Sequence, residues 1–303
     1  MLAQYLLTFR EVLEAALLVA IILAFLARTG RLRLARYAWR GVYGATAASI
    51  AVGGVVLAAY GALDEAAEKL FEGVAAIVAV AVLTSMIYWM AMKGRRIKAE
   101  VEGRVESAVA RGTVFGLISL TFVLVFREGL ETVLFLTPYL GLDVVGTVLG
   151  AAVGMAFGVG LAYGIFRVGL KLDLRKFFYF TSVLLVLVAA GLLGYGMHEL
   201  IEYGEESGTY ALGWWAAPAY DLGIPSDSAF HHNGAVGSVF KVLFGYAVAP
   251  EWARLVAHVA YLAVVLPLVF LVYRRPEWAT QVARRLRGLV RARKSATPSV
   301  FDD

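Results

Sequence analysis

Seven long apolar stretches divide the chain, each close to the ~20 residues a helix needs to cross a bilayer. They fall at 2–27, 41–63, 70–92, 112–136, 144–166, 177–198 and 252–273. Four of them have cores without a single charge: Gly41–Leu63, Gly73–Met92, Val144–Phe166 and Phe177–Met197. The whole chain is 60% hydrophobic, against about 45–50% for a soluble domain. The pattern predicts an all-α, polytopic membrane protein of seven transmembrane helices. A bilayer admits helices and closed barrels only, because backbone groups have no water to bond there.

The connections between these stretches carry a sidedness signal. Arg28, Arg31, Arg33, Arg36 and Arg40 lie between the first and second. Lys93, Arg95, Arg96, Lys98, Arg104 and Arg111 lie between the third and fourth, and Arg167, Lys171, Arg175 and Lys176 between the fifth and sixth. The tail from Arg274 to Lys294 is also basic. The alternate connections hold only Lys69, Lys241 and Arg254. Positive loops stay in the cytoplasm, so the N-terminus is expected outside and the C-terminus inside, in the plasma or inner membrane. The net charge of +5 thus reflects contact with membrane lipid, and no nucleic-acid partner is expected. No cysteine is present, which excludes disulfides, thiolate metal sites and cysteine nucleophiles. The first stretch lacks a basic leader and does not read as a signal peptide.

Two of the seven stretches break the apolar rule in the same way. Phe9-Arg10-Glu11-Val12-Leu13-Glu14 lies in the first, and Phe126-Arg127-Glu128-Gly129-Leu130-Glu131 in the fourth. Ionisable groups within a membrane are costly and mark function by default. The hexads are three stretches apart, in the first and the fourth, which run in opposite directions. Residues 1–92 and 112–198 are therefore candidates for an inverted three-plus-three repeat. The remainder divides into a loop at 199–251 outside, a seventh helix at 252–273 and a basic tail at 274–303. That tail has Leu286, Leu289 and Val290 at helical spacing, consistent with a helix on the anionic leaflet. Repeats of this kind place their sites near the midplane, where the halves meet.

On a helix, residues three or four apart share a face. Glu11 pairs in this way with Glu14, and Glu128 with Glu131. Arg10 can neutralise Glu14, and Arg127 can neutralise Glu131. Two carboxylates are left over, and a packing role for the ion pairs does not account for that surplus. Oxygen donors without thiolate suit hard cations such as calcium, magnesium, manganese or ferric iron. Further candidates sit at the outer ends: Glu72, and His198, Glu199 and Glu202, as entry ligands. Asp64, Glu65 and Glu68 read as a solvated loop, His231-His232 as a weak metal pair and His258 as a packing residue. No phosphate-binding loop is present, so energy must come from the membrane potential, a proton gradient or coupled oxidation. An intramembrane enzyme using the carboxylates for acid–base or metal-assisted hydrolysis is the competing class, but no nucleophile motif accompanies them.

The Arg-Glu-x-Leu-Glu pair, in the first and fourth of seven helices, resembles the oxidase-dependent iron permease family of fungal ferric permeases and their bacterial relatives. The resemblance extends to Phe71-Glu72-Gly73, Leu83-Thr84, Trp89-Met90, His198-Glu199-Leu200-Ile201-Glu202 and Leu243-Phe244-Gly245-Tyr246. It departs at Val12, where the family commonly has glycine. It implies an importer for iron, held as Fe3+ by Glu11, Glu14, Glu128 and Glu131 with Arg10 and Arg127 in support. It also implies a separate ferroxidase or iron-delivery partner outside the cell, and no permanent cofactor, iron being the substrate. Lead or manganese would be the neighbouring cargo.

Overall fold

The computed structural model describes residues 1–93, 97–110, 114–165, 174–208, 213–234 and 236–274. The basic tail expected beyond Arg274 lies outside the described residues. Among those residues the protein is built from helices, with no strand beyond one isolated bridge between Pro218 and Glu251. The long helices are α1 (Leu2–Arg28), α2 (Ala35–Tyr60), α3 (Glu65–Lys93), α5 (Val114–Leu136), α6 (Val144–Tyr163), α7 (Leu174–Ser207) and α9 (Trp252–Arg274). Two short ones, α4 (Ile97–Ala110) and α8 (Gly237–Phe244), lie between them.

Five stretches are long and apolar enough to cross a membrane: Leu32–Tyr60, Glu65–Met92, Val144–Tyr163, Lys176–Ser207 and Trp252–Arg274. The helices α1 and α5 have comparable lengths, 27 and 23 residues, but each carries a hexad. Two boundaries differ from the sequence expectation. Helix α7 runs on to Ser207, so Glu199 and Glu202 belong to it and not to a loop. Its acidic end is held by Lys69 of α3, which pairs with Glu202 at 2.9 Å and also with Glu206. The connection before α5 contains α4, which docks Val101 and Val105 against α1, α2 and α5.

Packing places the hexad helices at the centre. Helix α1 lies against α6 on one flank and α5 on another, and α5 packs in turn on α2. Helices α3 and α7 form a second tight pair, with α9 laid on both. The Asp143 side chain caps α6 by accepting from the Gly146 amide at 2.8 Å. From there Gly146, Gly150, Gly154 and Gly158 form a stripe at four-residue spacing, and all four are buried. Such stripes let helix backbones approach closely. A Cβ on Gly154 would stand 2.5 Å from the Tyr5 carbonyl oxygen and 3.0 Å from the Phe9 nitrogen. Neither backbone atom can swing aside. We therefore expect Gly154→Val to destabilise the protein by about 3 kcal/mol, read as a lower thermal unfolding temperature in detergent. Gly160, with nothing within 4 Å of its would-be Cβ, is the control position. Equal melting of Gly154→Val and wild type would contradict this packing.

Two apolar clusters close the bundle on either side of the first hexad. Ala3 and Leu7 join α3, α7 and α9 residues in one. Leu18, Ile22, Phe25 and Leu26 join α2, α4 and α5 residues in the other.

Candidate metal site

The hexads meet where α1 crosses α5. Oxygens of Glu11, Glu128 and Glu131 all lie within 4.8 Å of one another. Glu11 is 0% and Glu128 2% exposed, and Glu131 is partly buried. Glu14 is buried as well but stands outside that group of three, beside Arg10.

The arginines do more than the one-to-one neutralisation expected from spacing. Arg10, 1% exposed, lies 2.8 Å from Glu11 and 3.4 Å from Glu14, so it bridges both carboxylates of its helix. Its Nη1 also reaches the Met86 sulfur of α3 at 3.1 Å. Arg127 bridges likewise, 2.7 Å from Glu131 and 3.6 Å from Glu128. Its side chain is 42% exposed, with the guanidinium over the Trp89 ring at 5.2 Å. One arginine is thus sealed in the bundle and the other sits at its edge.

The polar inventory of this crossing does not close. Oε2 of Glu11, Glu128 and Glu131 has neither a hydrogen-bond nor an ion-pair partner among the described residues, though each atom is buried, while Glu14 Oε2 accepts no hydrogen bond and has only Arg10 Nη2 at 3.4 Å. A buried acceptor without a donor costs roughly 1–3 kcal/mol, and more when charged. Ion pairs built only for packing would have used these lone pairs. Two more orphans lie above them on α1: Gln4 Oε1 and Thr8 Oγ1. Gln4, Thr8 and Glu11 are spaced four and then three residues apart, on one helix face. That spacing was available in the sequence and is the signal that would have included Gln4 and Thr8 among the site residues.

The outer candidates are already engaged with protein groups. Glu72, buried on α3, accepts from Tyr60 Oη at 2.5 Å and from Tyr195 Oη. Gly141 stands so close that any Cβ there would meet the Glu72 carboxyl group. His198 bonds Glu251 at 2.8 Å and reaches Glu202 at 3.3 Å. Burial is the largest single influence and disfavours the Glu251 carboxylate, but the bond and charge of His198, with a backbone hydrogen bond and Arg254, together hold Glu251 below the usual carboxylate range. Glu65 and Glu68 form the first turn of α3 instead of a loop. The His231 and His232 rings lie 4.0 Å apart, yet their Nδ1 atoms face different backbone amides, of Asn233 and Val248. Burial, with help from Lys241, pushes His232 down to about 4. His258 is buried, as a packing residue should be, but its Nδ1 has no partner.

With this geometry in view, the likenesses to known proteins become informative. Residues 1–274 match the iron permease FTR1 family. A protein of Archaeoglobus fulgidus described as uncharacterized is 45% identical over 276 residues, covering 91% of this chain and 96% of its own. The ferrous iron permease EfeU of Yersinia pestis is 34% identical over 274 residues, covering 89% and 94%. EfeU of Escherichia coli O6:H1 is 34% identical over 265 residues, covering 86% and 92%. No solved structure matches the chain.

Proposed function

Given that this chain belongs to the iron permease FTR1 family, we propose that its two hexads are a single binding site for the iron it carries across the membrane. A permease of this family is a multi-pass membrane transporter and not an enzyme, which removes the hydrolytic reading. The observation that supports the site is the set of three buried carboxylate oxygens, Oε2 of Glu11, Glu128 and Glu131, that have neither a hydrogen-bond nor an ion-pair partner among the described residues at the α1–α5 crossing. A hard cation would satisfy these three at once, since Glu11, Glu128 and Glu131 are close enough to share one ion. Glu14 completes the set after a small movement towards them. Arg10 and Arg127 hold the carboxylates in place and keep their summed charge low enough for burial.

The same reading takes α1–α3 and α5–α7 as inverted halves with α9 added. Equivalent contacts support it. A Cβ on Gly41 of α2 would meet the Ile118 carbonyl oxygen at 2.6 Å and Thr121 Cβ at 2.9 Å. A Cβ on Gly150 of α6 would meet the Met1 carbonyl oxygen at 2.9 Å and Gln4 Cβ at 3.1 Å. Ile118 and Thr121 stand to the second hexad as Met1 and Gln4 stand to the first. Further along, Gly129 faces Ser49 while Val12 faces Gly158, the same crossing with the large and small partners exchanged.

In this scheme the N-terminus is outside the plasma or inner membrane. Iron enters past Glu72, Glu199 and Glu202, each of which must exchange a phenol, histidine or lysine partner for the ion. It is held as Fe3+ after oxidation by a partner protein. The inside-negative potential then favours entry by about 2.3 kcal/mol per charge per 100 mV. Proteoliposomes containing the purified chain test the reading. Iron should accumulate, and the double variant Glu128→Gln/Glu131→Gln should cut the rate to below about a hundredth, since each charged ligand contributes more than 1.4 kcal/mol, a factor of ten. Accumulation by that variant at the wild-type rate would remove the hexads from the pathway.

A further inference from the structure

A second polar site lies where α9 begins, and nothing in iron transport calls for it. Arg254 is 9% exposed, and its Nε has no hydrogen-bond partner. Among the described residues no carboxylate oxygen comes within ion-pair distance of it. Glu251, one turn back, is turned to His198 instead, and Glu199 acts on Arg254 only at longer range. One turn on, His258 is 8% exposed. Its ring bonds the Ala190 backbone on one side and leaves Nδ1 unpartnered on the other. Arg254 and His258 line one cavity of about 250 Å³ between α8 and α9. Gly245, in the left-handed conformation that ends α8, lets the chain pass over the His258 ring. A Cβ there would stand 2.4 Å from Nδ1.

The cavity therefore presents a buried cationic donor next to a buried neutral acceptor. Unpaired buried charge is among the costliest features a fold can retain. Lys241 adds to the local positive field: burial first and Arg254 second hold its ammonium below the ordinary lysine range. The rim is apolar, with the neighbouring rings of Phe240 and Phe244 about half exposed. Aromatic residues gather at membrane–water interfaces, where an amphipathic ligand can reach a pocket from the bilayer.

We propose that this cavity binds a phosphate group that retains one O–H, with its charged oxygens on the Arg254 guanidinium and that O–H donated to His258 Nδ1. A protonated phosphate supplies both groups, which a fully esterified or simple monocarboxylate anion does not. The source is either a lipid headgroup of the phosphatidic acid type, which the exposed phenylalanines favour, or free phosphate.

The test uses the full chain purified in a non-ionic detergent, titrated calorimetrically with inorganic phosphate and with dihexanoyl phosphatidic acid. Saturable one-to-one binding is expected, weakened about tenfold or more in Arg254→Gln and several-fold in His258→Leu. Phosphatidic acid binding about tenfold tighter than phosphate identifies the lipid source, and equal affinities identify the free anion. Thermal unfolding of the wild-type chain should rise with the bound probe. If Arg254→Gln does not fold, Arg254→Lys and His258→Leu decide. The proposal is overturned if neither probe saturates up to tens of millimolar, or if the folded variants bind as wild type does.

Discussion

Glu11→Gln should abolish iron accumulation in proteoliposomes while leaving the protein folded. Glutamine keeps the shape of the side chain and an oxygen to accept from Arg10, whose Nη1 lies 2.8 Å from Glu11 Oε1. What is lost is one negative charge at the most enclosed of the three clustered carboxylates. The amide nitrogen that replaces Oε2 cannot ligate a cation. Loss of a charged ligand in a dry site is worth about 3 kcal/mol, so transport should fall by roughly a hundredfold or more. Glu14→Gln removes the same charge from outside the group of three and should cost less. Radioactive iron uptake by the two variants, each checked for an unchanged melting temperature, separates the cases. Uptake by Glu11→Gln within twofold of wild type would sink the assignment.

The second large effect falls on stability. Arg10→Met should cost about 3–5 kcal/mol, because it strands Glu11 and Glu14 in a nearly water-free crossing. Both carboxylates depend on that single guanidinium. The equivalent Arg127→Met should cost only about 1 kcal/mol, since Arg127 is 42% exposed and its nearer partner, Glu131, keeps 15% of its side chain exposed. Pairing Arg10→Met with Glu14→Gln should restore part of the loss. Equilibrium unfolding in detergent micelles measures all three. Equal, small effects of the two arginine replacements would show that the crossing is wetter than its burial implies.

Much of the helical architecture was legible because long apolar helices advertise themselves by length. Each of the seven apolar stretches corresponds to a helix of at least 20 residues. The end of α7 was not legible, since Glu202, Glu205 and Glu206 read as loop by polarity. They are good helix formers, and Lys69 supplies from another helix the charge that lets the helix continue. Helix α4 was hidden for a similar reason: only Val101 and Val105 of its 14 residues are buried. Within the hexads, spacing identified the four glutamates and both arginines. It could not tell which three glutamates converge, because that depends on the angle at which α1 and α5 cross. Nor could it tell Arg10 from Arg127, which have the same neighbours in sequence and opposite exposure in the fold.

The glycine stripe of α6 has a mechanical consequence. Where α6 meets α1, and where Gly41 of α2 meets α5, the glycines face carbonyl oxygens of Met1, Tyr5 and Ile118 together with the Cβ atoms of Gln4, Thr8 and Thr121. Ordinary helix contacts interlock ridges of side chains, and sliding one past another means lifting each ridge from its groove. A glycine face offers no ridge of its own to lift. The same close approach recurs between α3 and α7, where Gly73 and Gly196 each face the other's carbonyl oxygen. Each of these crossings is therefore held at a spacing that a single added methyl group would wedge apart.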